Sequence, residues 1–321
     1  MSSSLLELRP VVPDDAALVA DLETAISPDD PRDPVMMAFW WNDRSHVEHA
    51  ARWINVSDGV ALMFVFGGHS SLDSDRRRFG QIRVRVHPTC WGDEVYRDGV
   101  ATAEGWLRDE GARTAVAKVR EDLAGELRVL KAVGYVEERR YRNWVLDLVQ
   151  RRDQLLATAE RTNAEMNAQG ILITTLDRDS HPDRLMKLYE LDIEATDDIP
   201  KTAPWPMPPF EAWRKAWFEN PAHAPDRFWI ARDGDELVGM SVIGYPPVRG
   251  TPFTSFTCTA RTVRGRGVAR ALKYATVKQA IERGAKSVET QNDAENAPIL
   301  HLNQEMGYQP AKSLIELHRT L

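Results

Sequence analysis

Phe253-Thr254-Ser255-Phe256-Thr257-Cys258-Thr259-Ala260-Arg261-Thr262-Val263-Arg264-Gly265-Arg266-Gly267-Val268-Ala269-Arg270-Ala271-Leu272 is the stretch that decides the fold of this chain. Phe253 to Thr262 is Thr-rich and reads as a strand. Arg264-Gly265-Arg266-Gly267 is a turn, and Val268 to Arg283 reads as a helix stopped by Gly284. The glycines permit tight backbone angles and keep side chains out of a ligand's path. The turn amides and the positive end of the helix dipole form an anion site. Arg264, Arg266 and Arg270 add full charges suited to phosphate oxygens. The unit therefore reads as a pyrophosphate cradle. It is not a P-loop, since no Gly-Lys-Ser/Thr follows, and it lacks the context of the dinucleotide fingerprint.

Downstream, Ser287 to Gln291 reads as a strand. Asn296 stands at a helix N-cap position, Pro298 in the first turn, and Gly307 just past the end of that helix. Upstream, Phe228 to Ala231 and Leu237 to Ile243 flank Asp233-Gly234-Asp235, a hairpin signal. The expected fold class is α/β with a mixed, mostly antiparallel sheet flanked by helices.

The pattern Arg-x-x-Gly-x-Ala over Arg264 to Ala269 resembles the coenzyme-A loop of the GCN5-related N-acetyltransferases (GNAT). Asn292-Asp293-Ala294-Glu295-Asn296 and the closing Glu305-Met306-Gly307-Tyr308 resemble that family's second motif. A plain surface turn with solvated arginines would explain the loop alone, but not these elements in order after it. The resemblance implies acetyl-CoA as acyl donor, with no metal. It implies cofactor contacts from Thr257, Cys258, Thr259, Arg264, Gly265, Arg266, Gly267, Val268, Ala269, Arg270, Asn292 and Asn296. Free backbone groups near Thr257 to Thr259 would pair with the pantetheine arm and polarise the thioester. The family often places a proton-donating tyrosine where this chain has Asn303, which can donate a hydrogen bond but no proton. The general acid is thus unassigned, and Asn303 is kept as an inward-facing polar candidate. For the general base, Glu289 comes first, then His301 or Asp198. An acidic, aromatic loop from Asp197 to Pro209, with Pro204-Trp205-Pro206, stands where the family closes over its acceptor and would favour a cationic amine.

The chain also repeats itself. Leu5 to Leu8 and Ile171 to Thr174 read as opening strands, followed by helices over Asp14 to Ile26 and Asp183 to Glu194. Each half then has an acidic, proline-broken loop, a Trp-bearing helix and a terminal Gly-Tyr pair, Gly134-Tyr135 and Gly307-Tyr308. The expected organisation is a GNAT-like domain over 1–149, a helical linker over 150–170 and a coenzyme-binding domain over 171–321. The layout is similar to the family's tandem members, mycothiol synthase among them. In the first half Trp91-Gly92-Asp93-Glu94 occupies the phosphate-loop position. Its tryptophan and two carboxylates oppose a pyrophosphate, and this half reads as degenerate.

A length of 321 residues accommodates two domains, and 43% hydrophobic with 28% charged residues is globular composition. A net charge of −7 disfavours nucleic-acid or membrane-surface binding. Two cysteines, Cys90 and Cys258, form no disulfide framework or metal knuckle. Without a secretion-signal pattern, the expected location is the cytoplasm. The expected partners are acetyl-CoA and a small-molecule amine, in a monomer with a pseudo-dimeric domain arrangement or a homodimer. The competing reading is a non-catalytic acyl-CoA sensor, which Asn303 favours and the intact loop opposes.

Overall fold

The computed structural model describes residues 6–42, 49–70, 78–199 and 207–321. Its first half comprises β1 (Arg9–Pro10), α1 (Asp15–Ile26), α2 (Pro34–Asn42), β2 (His49–Ser57), β3 (Val60–His69), β4 (Phe79–Val86), α3 (Asp93–Asp109), β5 (Thr114–Arg120), α4 (Ala124–Ala132) and β6 (Val136–Asp147). Helix α5 (Arg152–Ala168) joins it to β7 (Ile171–Thr175), α6 (Arg184–Asp197), α7 (Phe210–Phe218), β8 (Phe228–Asp233), β9 (Glu236–Gly244), β10 (Phe253–Thr259), α8 (Val268–Glu282), β11 (Ser287–Asp293), α9 (Ala297–Met306), β12 (Gln309–Pro310) and β13 (Leu314–Thr320).

All described strands form one sheet, in the order β1-β2-β3-β4-β5-β13-β6-β11-β10-β9-β8-β7, with β12 beside β6. Apart from the short β12, the two halves match element for element, and each contains one parallel pair, β4 with β5 and β10 with β11. Their final strands are exchanged. β6 pairs along seven registered positions with β11 of the other half, and β13 does the same with β5. The centre of the sheet is therefore the β13–β6 pair. A domain cut on sequence alone separates strands that are hydrogen-bonded neighbours.

Local chemistry explains the elements. Gly234, at φ 59°, turns the β8–β9 hairpin, and Gly307, at φ 88°, ends α9 in the left-handed conformation that glycine adopts most readily. α8 lies against β9 because Gly239 carries no side chain. A Cβ there would sit 2.9 Å from Leu272 and 3.0 Å from Val268. One core gathers Leu188, Phe228, Ile230, Met240 and Leu272, and its counterpart in the first half gathers Val65, Val84, Leu107 and Leu130. Three sequence expectations shift. Residues Leu6 to Leu8 form no strand, and the first one is the short β1. β10 ends at Thr259, because a short 3-10 turn over Arg261–Val263 intervenes. α6 runs three residues beyond Glu194. Pro204-Trp205-Pro206 lies outside the described residues. Among the described residues no helix is long and apolar enough to cross a membrane.

Candidate active site

β10 and β11 are registered only at Phe253↔Glu289 and Thr254↔Thr290, and then part. A register shift between Thr254 and Phe256 on the β9 side accompanies the parting. Bulges re-aim strands in this way. Beyond Thr254 the facing strand edges pair with no strand, which leaves amide and carbonyl groups for a ligand. The opening leads to the glycine turn, where Gly265 and Gly267 have φ of 77° and 88°. Gly267 is the N-cap of α8, so the free N–H groups of that helix face the opening.

The resulting cleft encloses about 790 Å³. Thr257, Cys258, Thr259, Arg264, Gly265, Gly267, Val268, Ala269, Arg270, Asn292 and Asn296 all line it. Arg266 does not; its guanidinium turns to Asp233 at 3.0 Å and to Gln169. The other loop cations also hold carboxylates: Arg264 pairs with Asp198 at 2.5 Å and Arg270 with Glu305 at 2.6 Å. Pairs this exposed are screened by water and salt, so a phosphate can displace them at little cost. Asp198, contacted by Arg261 as well, is held far below the usual carboxylate range and makes a poor base. Asn296 occupies the N-cap of α9 but its side chain makes no capping hydrogen bond, which leaves its amide to the cleft.

A second cavity, of about 600 Å³, lies on the other side of β10 and shares Ile199, Ser255, Phe256 and Gln291 with the cleft. Both halves build it. Asp30, Arg32, Met36, Phe39 and Trp40 come from the first; Trp213, Trp217, Arg249, Phe253 and Glu289 come from the second. Its aromatic wall is fixed by buried Asp192, which accepts from Trp213 Nε1 at 2.7 Å and Trp217 Nε1 at 3.2 Å. Asp33 joins the halves. Its Oδ1 caps α2 through Val35 N and Met36 N, and its Oδ2 accepts from Val248 N at 2.6 Å and Arg249 N at 3.0 Å.

Glu289 lines this second cavity and not the cleft. Burial, with nearby Asp30, raises its pKa, and no ion pair to it is found among the described residues. His301 is exposed at the cleft rim, away from the second cavity. Asn303 is buried. Its Oδ1 accepts from Lys273 Nζ at 2.6 Å, and its Nδ2 donates to Asn292 Oδ1 at 2.6 Å. Two groups escaped sequence reasoning. Lys273 looks like a solvent-facing helix lysine until packing places it inside. His223 shows no motif, yet its Nε2 lies 3.0 Å from Ser255 Oγ at the junction of the two cavities. Its Nδ1 faces the Trp217 carbonyl at 3.1 Å, which can only accept, so Nδ1 carries the proton and Nε2 accepts. Burial lowers its pKa to about 4 and keeps it neutral at pH 7.

In the first half, the segment before α3 packs against α4. The Trp91 ring lies where a Cβ on Gly125 would come within 2.6 Å, and Asp93, in the first turn of α3, pairs with Arg128 of α4.

Residues 185–308 match the model of the acetyltransferase (GNAT) family. An acetyltransferase of Sodalis glossinidius is 28% identical over 118 residues, 37% of this chain and 78% of the relative. One of Pectobacterium atrosepticum is 28% identical over 106 residues, 33% of this chain and 70% of the relative. Among solved structures, a tandem GNAT protein from the clavulanic acid biosynthesis pathway superposes with a TM-score of 0.73 at 17% identity, covering 98% of both chains. A GCN5-related N-acetyltransferase from Sphaerobacter thermophilus gives 0.68 at 20% identity over 98% of this chain and 95% of that one.

Proposed function

We propose that this chain, whose residues 185–308 match the acetyltransferase (GNAT) family model, is a tandem acyltransferase of that family and transfers the acetyl group of acetyl-CoA to a small-molecule amine at a single site in residues 171–321. The observation that carries the reading is the junction at Ser255, Phe256 and Gln291, where a cleft shaped for a pyrophosphate and an extended arm meets a separate aromatic cavity. The pyrophosphate rests on the Gly265–Gly267 turn and the start of α8. The pantetheine arm adds to the free edge of β10, which draws the thioester carbonyl onto backbone donors near Thr257. The amine enters from the aromatic cavity, and Glu289 receives its proton. A cationic amine suits a cavity whose unpaired charge is a carboxylate. The packing of Trp91 on Gly125 and the carboxylates of Asp93 and Glu94 at the start of α3 support a domain 1–149 that walls the acceptor cavity without binding coenzyme. The acting protein is a cytoplasmic monomer in this reading.

Calorimetry with coenzyme A and thiol-release assays on a panel of amines test the reading. One site per chain and amine-dependent thiol release are expected. Two equivalent sites, or binding without turnover on any amine, would overturn it, the latter in favour of an acyl-CoA sensor.

A further inference from the structure

Lys273 sits in the second turn of α8, 1% exposed. A buried ammonium is normally paired with a carboxylate, because an isolated one is costly. Among the described residues no ion pair to Lys273 is found. Its Nζ donates to Asn303 Oδ1 at 2.6 Å, which Asn292 orients from the other end, and lies 4.9 Å from the centre of the Tyr308 ring. The Tyr308 hydroxyl in turn faces Thr254, the last residue at which β10 still pairs with β11. Lys273, Thr254 and Thr290 all line the coenzyme cleft. Lys273 thus lines the cleft together with the last paired residues of β10 and β11, next in sequence to Ser255 and Gln291, which the cleft shares with the acceptor cavity.

Resting on the assignment of that cleft to acetyl-CoA, we propose that Lys273 is the acid that protonates the departing coenzyme-A sulfur. The amine nitrogen attacks the acetyl carbonyl and forms the C–N bond. The tetrahedral intermediate collapses, the C–S bond breaks with its electron pair on sulfur, and an Nζ proton passes to that sulfur. The nucleophile's proton goes to Glu289, and water returns a proton from Glu289 to Lys273. The sum is amine plus thioester to amide plus thiol. Desolvation lowers the Lys273 pKa to about 7, below the ~8.5 of an ordinary thiol, so the transfer runs downhill. The other charges around the cleft are committed elsewhere: Arg270 to Glu305, Arg264 to Asp198 and Asp293 to Arg139. His301 is exposed at the rim.

The test compares kcat against pH for the parent, K273M and N303D, with acetyl-CoA affinity measured by calorimetry. The parent should lose rate as pH rises through about 7. K273M should lose about 10²–10⁴-fold in kcat below that limb and lose the limb itself, with affinity within about threefold. N303D places a carboxylate against the ammonium and should move the limb up by about 1–3 pH units. A K273M rate within threefold of the parent, or a limb that N303D leaves in place, overturns the assignment. If K273M does not fold, the N303D limb decides. A parent that binds no coenzyme A would instead refute the underlying reading of the cleft.

Discussion

Asp33→Ser separates the two duties of one carboxylate. Serine at an N-cap still satisfies the start of α2, so the helix survives. What is lost is the Oδ2 side, which accepts from Val248 N and Arg249 N of the opposite half. Hydrogen bonds to a charged acceptor contribute about 1.5–3 kcal/mol each. The Arg249 guanidinium keeps its contacts to the Arg32 carbonyl and Asp21, which holds part of the loop in place. A net loosening of roughly 2–3 kcal/mol at this wall follows. Since about 1.4 kcal/mol is tenfold, kcat/KM for the amine should fall by about 10–100-fold. Coenzyme-A affinity should not move, because Asp33 lines only the acceptor cavity. The assay varies the amine at saturating acetyl-CoA, with calorimetry for the donor. An unchanged amine KM would show that the first half is no wall of the site, and an equal loss for both ligands would show general damage. Burial works against the Asp33 anion, but its four backbone N–H partners prevail and its pKa is lowered. Its contribution is therefore complete above the unfolded carboxyl value and lost only as pH falls through the lower folded value. The clamp is fully engaged at pH 7.

Glu289→Gln should lower kcat by about 10²–10⁴-fold with donor affinity unchanged. It should also remove an acid limb of kcat/KM that lies above the ordinary carboxylate range, and a rate within threefold with the same pH profile would exclude Glu289. Gly267→Ala forces a side chain into φ 88° and should cost about 1–2 kcal/mol in urea unfolding while weakening coenzyme-A binding; unchanged stability would contradict that backbone angle. Lys273 has a folded pKa near 7, below its unfolded value of 10.5, so the folded state binds fewer protons and stability rises with pH between the two. The parent should therefore gain melting temperature relative to K273M from pH 7 to 10, and parallel curves would refute a lysine whose charge burial disfavours.

The glycine turn at the mouth of the cleft and the helix after it were legible, because glycine spacing and helix caps are local signals. The repeat was legible too, since paired loops and Gly-Tyr ends recur in order. The acceptor cavity was not. Asp33 and Trp40 meet Trp217 and Arg249 only through tertiary packing, and nothing in their spacing announces it. Glu289 was legible as a strand carboxylate, yet period-2 alternation does not reveal which cavity a side chain enters. Lys273 falls within an otherwise ordinary helix, and only the contact with Asn303 shows that the missing tyrosine and the buried amine belong to one feature.

The exchanged final strands bear on how the polypeptide acquires its shape during synthesis. β5 is complete by residue 120, but the partner for its open edge, Leu314–Thr320, leaves the ribosome only after every other strand of this sheet. The first half must wait through nearly two hundred further residues with a hydrogen-bonding edge exposed. Such an edge invites pairing with another nascent chain, and long-range closure of this kind is slow. Deleting residues 314–321 would therefore strike the distant half hardest, and severing the chain within α5 would yield two fragments that complete each other's sheets only by reassociating.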